Sequence, residues 1–228
     1  MPAMPTATKI SGNGKPGKKS INIKENVPVY DPNAREPICR ADLTQYWISL
    51  TFDDKTANKM LWVSDGGSKV CRRTKEMCPV LDRPERYDCS PQVLCKEGIW
   101  NMRAYWEVEY SGWVLVAATY EGAARRAESG PIGLGENEES WGLCWSGSCY
   151  EVWFNSENKQ IKNVPFCPIL GVYIDQPAGV ICFYMVSGEG DDKEATLLYR
   201  FQTPIEKKIL PGFWMGVQST CTLLKKPQ

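Results

Sequence analysis

The sequence predicts an all-β fold: a two-sheet antiparallel sandwich with a short N-terminal helix and a disordered N-terminal tail. Three observations predict it. Beyond Trp47 the chain breaks into many short runs rich in β-branched and aromatic residues, polar turns separate them, and segments of helical period are scarce. At 228 residues the chain suits one large all-β domain, or one smaller domain with a tail.

Each element follows from its residues. Met1 to Asn26 is rich in Pro, Gly, Ser, Thr and Lys and has no apolar periodicity, so it buries too little surface to offset its ordering entropy and is predicted disordered. Its five lysines are scattered, as in a solvated linker. Pro28, Pro32 and Pro37 suggest an extended connector up to residue 38, and a short helix is expected over Arg40–Tyr46. The predicted strands are Trp47–Phe52, Met60–Ser64, Ser68–Arg72, Gln92–Lys96, Arg103–Tyr110, Trp113–Tyr120, Ser140–Trp145, Cys149–Asn155, Leu170–Asp175, Val180–Val186, Thr196–Phe201, Phe213–Gln218 and Cys221–Leu224. Turn residues separate them, as at Asp65-Gly66-Gly67, Ser111-Gly112, Ser146-Gly147 and Pro177-Ala178-Gly179. In Tyr105-Trp106-Glu107-Val108-Glu109 the alternation puts Trp106 and Val108 on one face and the carboxylates on the other.

Composition excludes several functions. Lys plus Arg and Asp plus Glu both number 27, so no chain-wide basic field would attract nucleic acid. Histidine is absent, which removes the commonest general base and metal ligand and weighs against an enzyme. The ten cysteines include no C-x-x-C pair, so neither a zinc site nor a redox pair is read from their spacing. With no apolar signal core and no N-x-S/T sequon, reduced and mostly buried thiols in the cytoplasm are expected. The apolar runs Trp113–Tyr120 and Val180–Val186 are too short for a membrane span. Gly133-Leu134-Gly135-Glu136-Asn137-Glu138 lacks the third glycine of a dinucleotide loop. The carboxylate groups Glu136/Glu138/Glu139 and Asp191/Asp192/Glu194 lack EF-hand spacing and read as solvated loops. No cofactor, no metal and no catalytic residue are expected.

Several segments, in order, resemble the PRY-SPRY (B30.2) family. Leu50-Thr51-Phe52-Asp53-Asp54-Lys55-Thr56-Ala57-Asn58 looks like the start of its PRY segment, with Phe52-Asp53-Asp54 replacing the usual L-D-P. Asp82-Arg83-Pro84-Glu85-Arg86-Tyr87 matches the P-E-R-F/Y turn, and Tyr105-Trp106-Glu107-Val108-Glu109 matches the Y-W-E-V-E signature, the most specific element. Trp113-Val114-Leu115-Val116-Ala117, Trp141-Gly142-Leu143, Gly171-Val172-Tyr173-Ile174-Asp175 and Leu210-Pro211-Gly212-Phe213 fit later family strands. The resemblance implies PRY over about 39–95 and SPRY over about 96–228, behind a tail and linker over 1–38. It is strongest to the C-terminal modules of tripartite-motif ubiquitin ligases and to related fish immune proteins and toxins. It implies a module that grips a protein partner through variable loops at one end of the sandwich, in ubiquitin-ligase or innate-immune recognition. No RING-type zinc array accompanies it here.

By position those loops are about Asp65–Met77, Tyr120–Asn137, Ser146–Ser148, Asn155–Phe166 and Ser187–Glu194. Trp141 and Trp145, four apart on one strand, project to one side, and with Tyr150 and Trp153 across the Ser146-Gly147-Ser148 turn they would form an aromatic floor. Arg125 and Arg126 sit in a loop where the family places contacts. These six are the expected partner-binding residues, with core packing as the alternative for the aromatic ones. Two other readings are a binder of small phosphorylated ligands, using Arg103, Arg125 and Arg126, and a C-terminal piece of a larger toxin or immune receptor. Tyr105, Trp106, Glu107 and Asp175 are assigned to the fold, because residues shared by modules with unrelated partners secure structure and not specificity.

Overall fold

The computed structural model describes residues 27–74, 76–126 and 131–227; the predicted tail, Met1 to Asn26, lies outside them, as do loop residues 127–130. A single helical turn, α1 (Arg40–Thr44), precedes thirteen strands. These are β1 (Leu61–Ser64), β2 (Lys69–Arg72), β3 (Gln92–Leu94), β4 (Arg103–Ser111), β5 (Val114–Tyr120), β6 (Ser140–Trp145), β7 (Tyr150–Phe154), β8 (Glu157–Ile161), β9 (Ile169–Asp175), β10 (Val180–Ser187), β11 (Glu194–Gln202), β12 (Ile209–Met215) and β13 (Thr220–Leu223). They form a seven-stranded sheet, β1-β2-β13-β4-β9-β10-β11, and a six-stranded sheet, β3-β12-β5-β6-β7-β8. Neighbouring strands pair antiparallel, as expected of a two-sheet sandwich.

The core lies between the sheets. Trp106, Val108 and Tyr110 of β4, Val172 and Ile174 of β9 and Phe183 of β10 meet Val116, Trp141, Leu143, Val152 and Phe213 from the opposite sheet. Strand alternation demands this arrangement, since every second side chain must leave water together. The other face of β4 is covered as well. Leu43 of α1 and the following Trp47 pack on Tyr105, Tyr173, Val180 and Cys182, forming a second apolar cluster. Glu107, expected on a solvent face, is therefore buried. Arg40 meets it with two hydrogen bonds, Nε to Oε1 at 2.7 Å and Nη2 to Oε2 at 3.0 Å, and the Tyr105 hydroxyl donates to the same carboxylate at 2.8 Å. Beside this clamp, the buried Arg103 pairs with Asp175 at 2.8 Å and donates to the Ala34 and Arg35 carbonyls, fastening the proline-bearing connector to the sheet.

Three elements differ by more than their end residues. The predicted Phe213–Gln218 strand instead begins at Ile209 and ends at Met215, because Pro211 and Gly212 interrupt the strand pattern in the sequence. Trp47–Phe52 is not a strand; it makes isolated bridges at Trp47 and Phe52, because this segment crosses from one sheet to the other and cannot run beside a single partner. Strand β8 falls in a predicted loop. Its Glu-Asn-Lys-Gln-Ile sequence is almost wholly exposed at the sheet edge, so no apolar alternation marks it.

Two outcomes are expected. Arg40→Ala strands a buried carboxylate and should cost about 3–5 kcal/mol in urea unfolding. Burial raises the thiols of Cys95, Cys144, Cys182 and Cys221 above 9.0, to about 11 for Cys144 and Cys182, and the hydroxyls of Tyr105, Tyr110, Tyr173 and Tyr184 above 10.0. Groups raised in the folded state stabilise it fully below their unfolded values and lose that contribution as pH climbs toward the folded ones. The urea midpoint, measured in reductant, should therefore fall progressively once pH exceeds about 9 through these groups.

Candidate functional site

The six-stranded sheet turns its second face outward, and the pairing register fixes what stands on it. Leu94 pairs with Gly212, Gly212 with Ala117, Ala117 with Gly142 and Gly142 with Trp153. One row over, Trp214, Leu115, Cys144 and Glu151 follow in line. Small residues in the first row leave a trough bordered by Trp153 and Trp214. The loop after β5 folds back to cap part of this trough. Gln92 accepts from the Leu134 N–H at 2.6 Å and donates to the Ile132 carbonyl at 3.1 Å, so Leu134 is set down on Leu115, Ala117 and Cys144. Gly135, at φ +85°, passes so close over Trp153 that an added Cβ would lie 2.5 Å from the Trp153 Cβ.

What stays open is a cleft of about 160 Å³ lined by Trp113, Leu115, Leu134, Cys144, Trp153 and Trp214, with Gly133 and Glu136 at its edge. Trp113 packs edge-on against Trp214, ring centres 5.6 Å apart, and its carbonyl accepts from the Gly216 N–H at 2.7 Å. Past Trp113 the surface opens into a wider cleft of about 470 Å³ between Trp113, Trp145, Ser146, Gly147 and Phe166. Trp113 is 51% exposed and Phe166 46%, so together the two clefts make a groove walled by aromatic rings. Its floor is neutral: burial pushes the Cys144 thiol up to about 11, Glu151 adds to the effect, and the indole N–H groups of Trp113 and Trp153 oppose it.

The structure divides the expected binding residues. Trp141 and Trp145 do share one side of β6, but that side is the interior. Trp141 is 2% exposed and stacks on Phe154 with rings 6° from parallel. Tyr150 is fully buried; its hydroxyl bonds the Cys167 N–H and carbonyl and meets the Tyr110 hydroxyl at 3.3 Å. Neither presents surface to a partner, a correction that follows from strand parity. Trp145, at the end of β6, is only partly buried and lines the wide cleft, while Trp153 points the other way and lines the narrow one.

Arg125 and Arg126 lie beyond the far end of β5, away from the groove. Arg125 donates to the Glu85 and Glu121 carbonyls, and Arg126 pairs with Asp82 at 2.7 Å and bonds the Arg83 carbonyl. They pin the loop to the Asp82–Arg86 turn, and the bond from Arg126 holds the Asp82 carboxyl below its usual range. Arg103 is committed to Asp175 and the connector on the opposite sheet, so the three arginines do not converge.

The expected loops also belong to both ends of the sandwich. Ser64 pairs with Lys69 and Phe154 with Glu157, which places the 65–67 and 155–156 turns at one end, with the start of the 120–137 loop. Residues 73–74 and 76–77 and segments 146–148, 162–166 and 188–193 gather at the other end, beside Trp113. Trp113, Leu115, Cys144 and Trp214 were outside the expected site, and Phe166, at the end of the expected 155–166 loop, was not among the six named residues. Parity offered a signal for Trp214: it alternates with Phe213 and Met215, which face the core.

A closed sandwich that keeps three tryptophans partly exposed along one outer face defines a class, the β-sandwich binding module. The chain matches the SPRY-associated domain (PRY) over residues 50–99 and the SPRY domain over residues 103–227. It is 34% identical over 204 residues to stonustoxin subunit beta of Synanceia horrida, covering 87% of this chain and 28% of the toxin subunit. It is 30% identical over 188 residues to tripartite motif-containing protein 16 of Mus musculus, covering 82% of this chain and 33% of that protein. The crystal structure of the TRIM65 PSpry domain superposes with a TM-score of 0.72 at 26% identity, covering 84% of this chain and 98% of that domain. The chain belongs to the PRY-SPRY (B30.2) family, whose domains are protein-interaction modules. It spans about a third or less of the length of these two curated relatives. Among the described residues no helix is long and apolar enough to cross a membrane.

The division between core and groove tryptophans has a measurable consequence. Trp141→Ala should lower unfolding free energy by about 3–5 kcal/mol, as a buried large-to-small change does. Trp113→Ala, at a half-exposed site, should cost less than about 1 kcal/mol in the same measurement.

Proposed function

We propose that this domain recognises a protein partner through the aromatic groove formed by Trp113, Trp145, Trp153, Phe166 and Trp214. In this reading it is a target-recognition module of the ubiquitin-ligase or innate-immune kind that acts in the cytoplasm without catalytic chemistry. The observation that carries the proposal is the half-exposure of Trp113 and Phe166 beside partly buried Trp145 and Trp214, all held by strand backbone or ring packing. Rigid aromatic surface costs little entropy when it is covered, which is why such residues dominate interface energetics. Among the described residues no three Cys, Asp or Glu side chains are grouped to hold a metal. A phosphate-binding reading has less support, because Arg103 already faces a carboxylate and two carbonyls.

The test is comparative affinity capture from cell extract with quantitative mass spectrometry. Proteins retained by the unmodified chain and by Arg125→Ala, but reduced at least about tenfold by Trp113→Ala and by Trp214→Ala, would support the groove, since truncating an interface anchor costs about 2 kcal/mol or more. Equal capture by all four proteins would refute it.

A further inference from the structure

The groove is aromatic, and the outer strand face that floors it carries charge of one sign. Outward strand positions of the six-stranded sheet are Gln92 and Leu94 on β3, Leu210, Gly212 and Trp214 on β12, and Leu115, Ala117 and Thr119 on β5. Ser140, Gly142 and Cys144 follow on β6, Glu151 and Trp153 on β7, and Asn158 and Gln160 on β8. No lysine or arginine stands among them, and Glu151 is the one charge. A second carboxylate comes from the capping loop. Glu136 curls back so that its Oε2 accepts from the Gly133 N–H at 3.0 Å, in space that any side chain at Gly133 would fill. This bond holds the carboxylate at the edge of the narrow cleft. Neither Glu136 nor Glu151 has a salt-bridge partner among the described residues, whereas the neighbouring Glu121 and Glu139 are paired with Lys208 and Lys207. Arg72, which reaches β12 from β2, is committed to the Met215 carbonyl at 3.0 Å.

Resting on the groove proposed above, we infer that its narrow cleft takes a cationic side chain, arginine foremost, from an extended segment of the partner protein. The aliphatic stem lies against Trp113, Trp153 and Trp214, and the guanidinium meets Glu136 and Glu151. Charge complementarity singles out this occupant. A carboxylate side chain would meet two like charges and no base from the strand face or the lining of the narrow cleft, and an aliphatic one would leave the carboxylates without a counter-charge. Indole is the best aromatic partner for a cation, and a guanidinium stacks on rings and sheds water more readily than an ammonium group. At about 160 Å³ the cleft holds roughly five waters' share of volume, the scale of one long side chain.

The experiment follows tryptophan indole N–H resonances of the full chain during titration with acetyl-Gly-Gly-X-Gly-Gly-amide, where X is Arg, Leu or Glu. Trp113→Phe and Trp214→Phe assign the signals. Saturable shifts of these two indoles with the Arg peptide are expected, with weaker shifts for Leu and none for Glu. The Arg affinity should fall about threefold to tenfold in Glu136→Gln/Glu151→Gln, and should weaken similarly in about 1 M salt, where the screening length is near 3 Å. Glutamine at 136 keeps the acceptor for the Gly133 N–H, and an unchanged thermal midpoint will confirm that the variant is folded. No saturable shift with the Arg peptide, equal or tighter binding of the Leu peptide, or an Arg affinity untouched by the double variant would overturn the inference. If these failures come with partner capture that still depends on Trp113, the groove stands and only its cationic specificity falls. If capture is also indifferent to Trp113, both fall together.

Discussion

The constraint on which this molecule depends is the two-residue period of its strands. On β6, Trp141, Leu143 and Trp145 take the inward positions, which leaves Gly142 and Cys144 outside. On β5 and β12 the same rule sends Val116 and Phe213 inward and leaves Ala117 and Gly212 outside. The outer row of Gly212, Ala117 and Gly142 is therefore low, while Trp214 and Trp153 stand high at its sides. A filled core and an empty trough are two consequences of one pattern. The loop carrying Leu134 fills part of that trough and leaves the rest as the groove.

Much of the fold was legible because apolar alternation is dense where strands are buried. Strand β6 occupies the predicted range, and β4 differs only at its last residue. Legibility failed where burial failed, at β8, and where a buried segment crosses between the sheets, at Trp47–Phe52. Strand β8 is held by its pairing with β7 and not by any apolar face of its own, so composition marks it as loop. The site was less legible than the fold. Spacing correctly placed Trp141 and Trp145 on one side of a strand, but spacing alone does not say which side faces the opposite sheet. That is decided by cross-strand neighbours such as Ala118 and Val116, whose identity requires the register. Phe166 was harder still, since it lies in an irregular segment and joins the groove only through its packing on Trp145 and Tyr110.

The arginine pair shows that charge and loop position do not by themselves mark a partner-binding surface. Arg125 and Arg126 reach the carbonyls and the carboxylate of the Asp82–Arg86 turn, and Arg86 is itself buried, donating to the Leu81 and Asp54 carbonyls. A guanidinium carries five donors in a fixed fork, so it suits the fastening of irregular backbone as well as it suits a partner. In a segment without ladder hydrogen bonds, such side chains supply what strand pairing supplies elsewhere.

The separation of fastening from recognition extends to the whole molecule. Tyr105, Glu107 and Asp175, the residues that identify the family in the sequence, sit on the outward face of the seven-stranded sheet beneath α1 and the connector. There they are covered by the chain itself and have no surface left for another molecule. The groove lies on the opposite sheet, and several of its walls come from turns and strand ends whose side chains can change without disturbing that clamp. A toxin subunit and a tripartite-motif protein both match this chain over the scaffold, and a scaffold fastened in this way leaves the groove free to vary. Specificity in this chain should accordingly be sought in the features that set its groove apart, the tryptophans at 113, 153 and 214 and the carboxylates at 136 and 151, which have no ion-pair partner among the described residues, because these are not needed to close the sandwich.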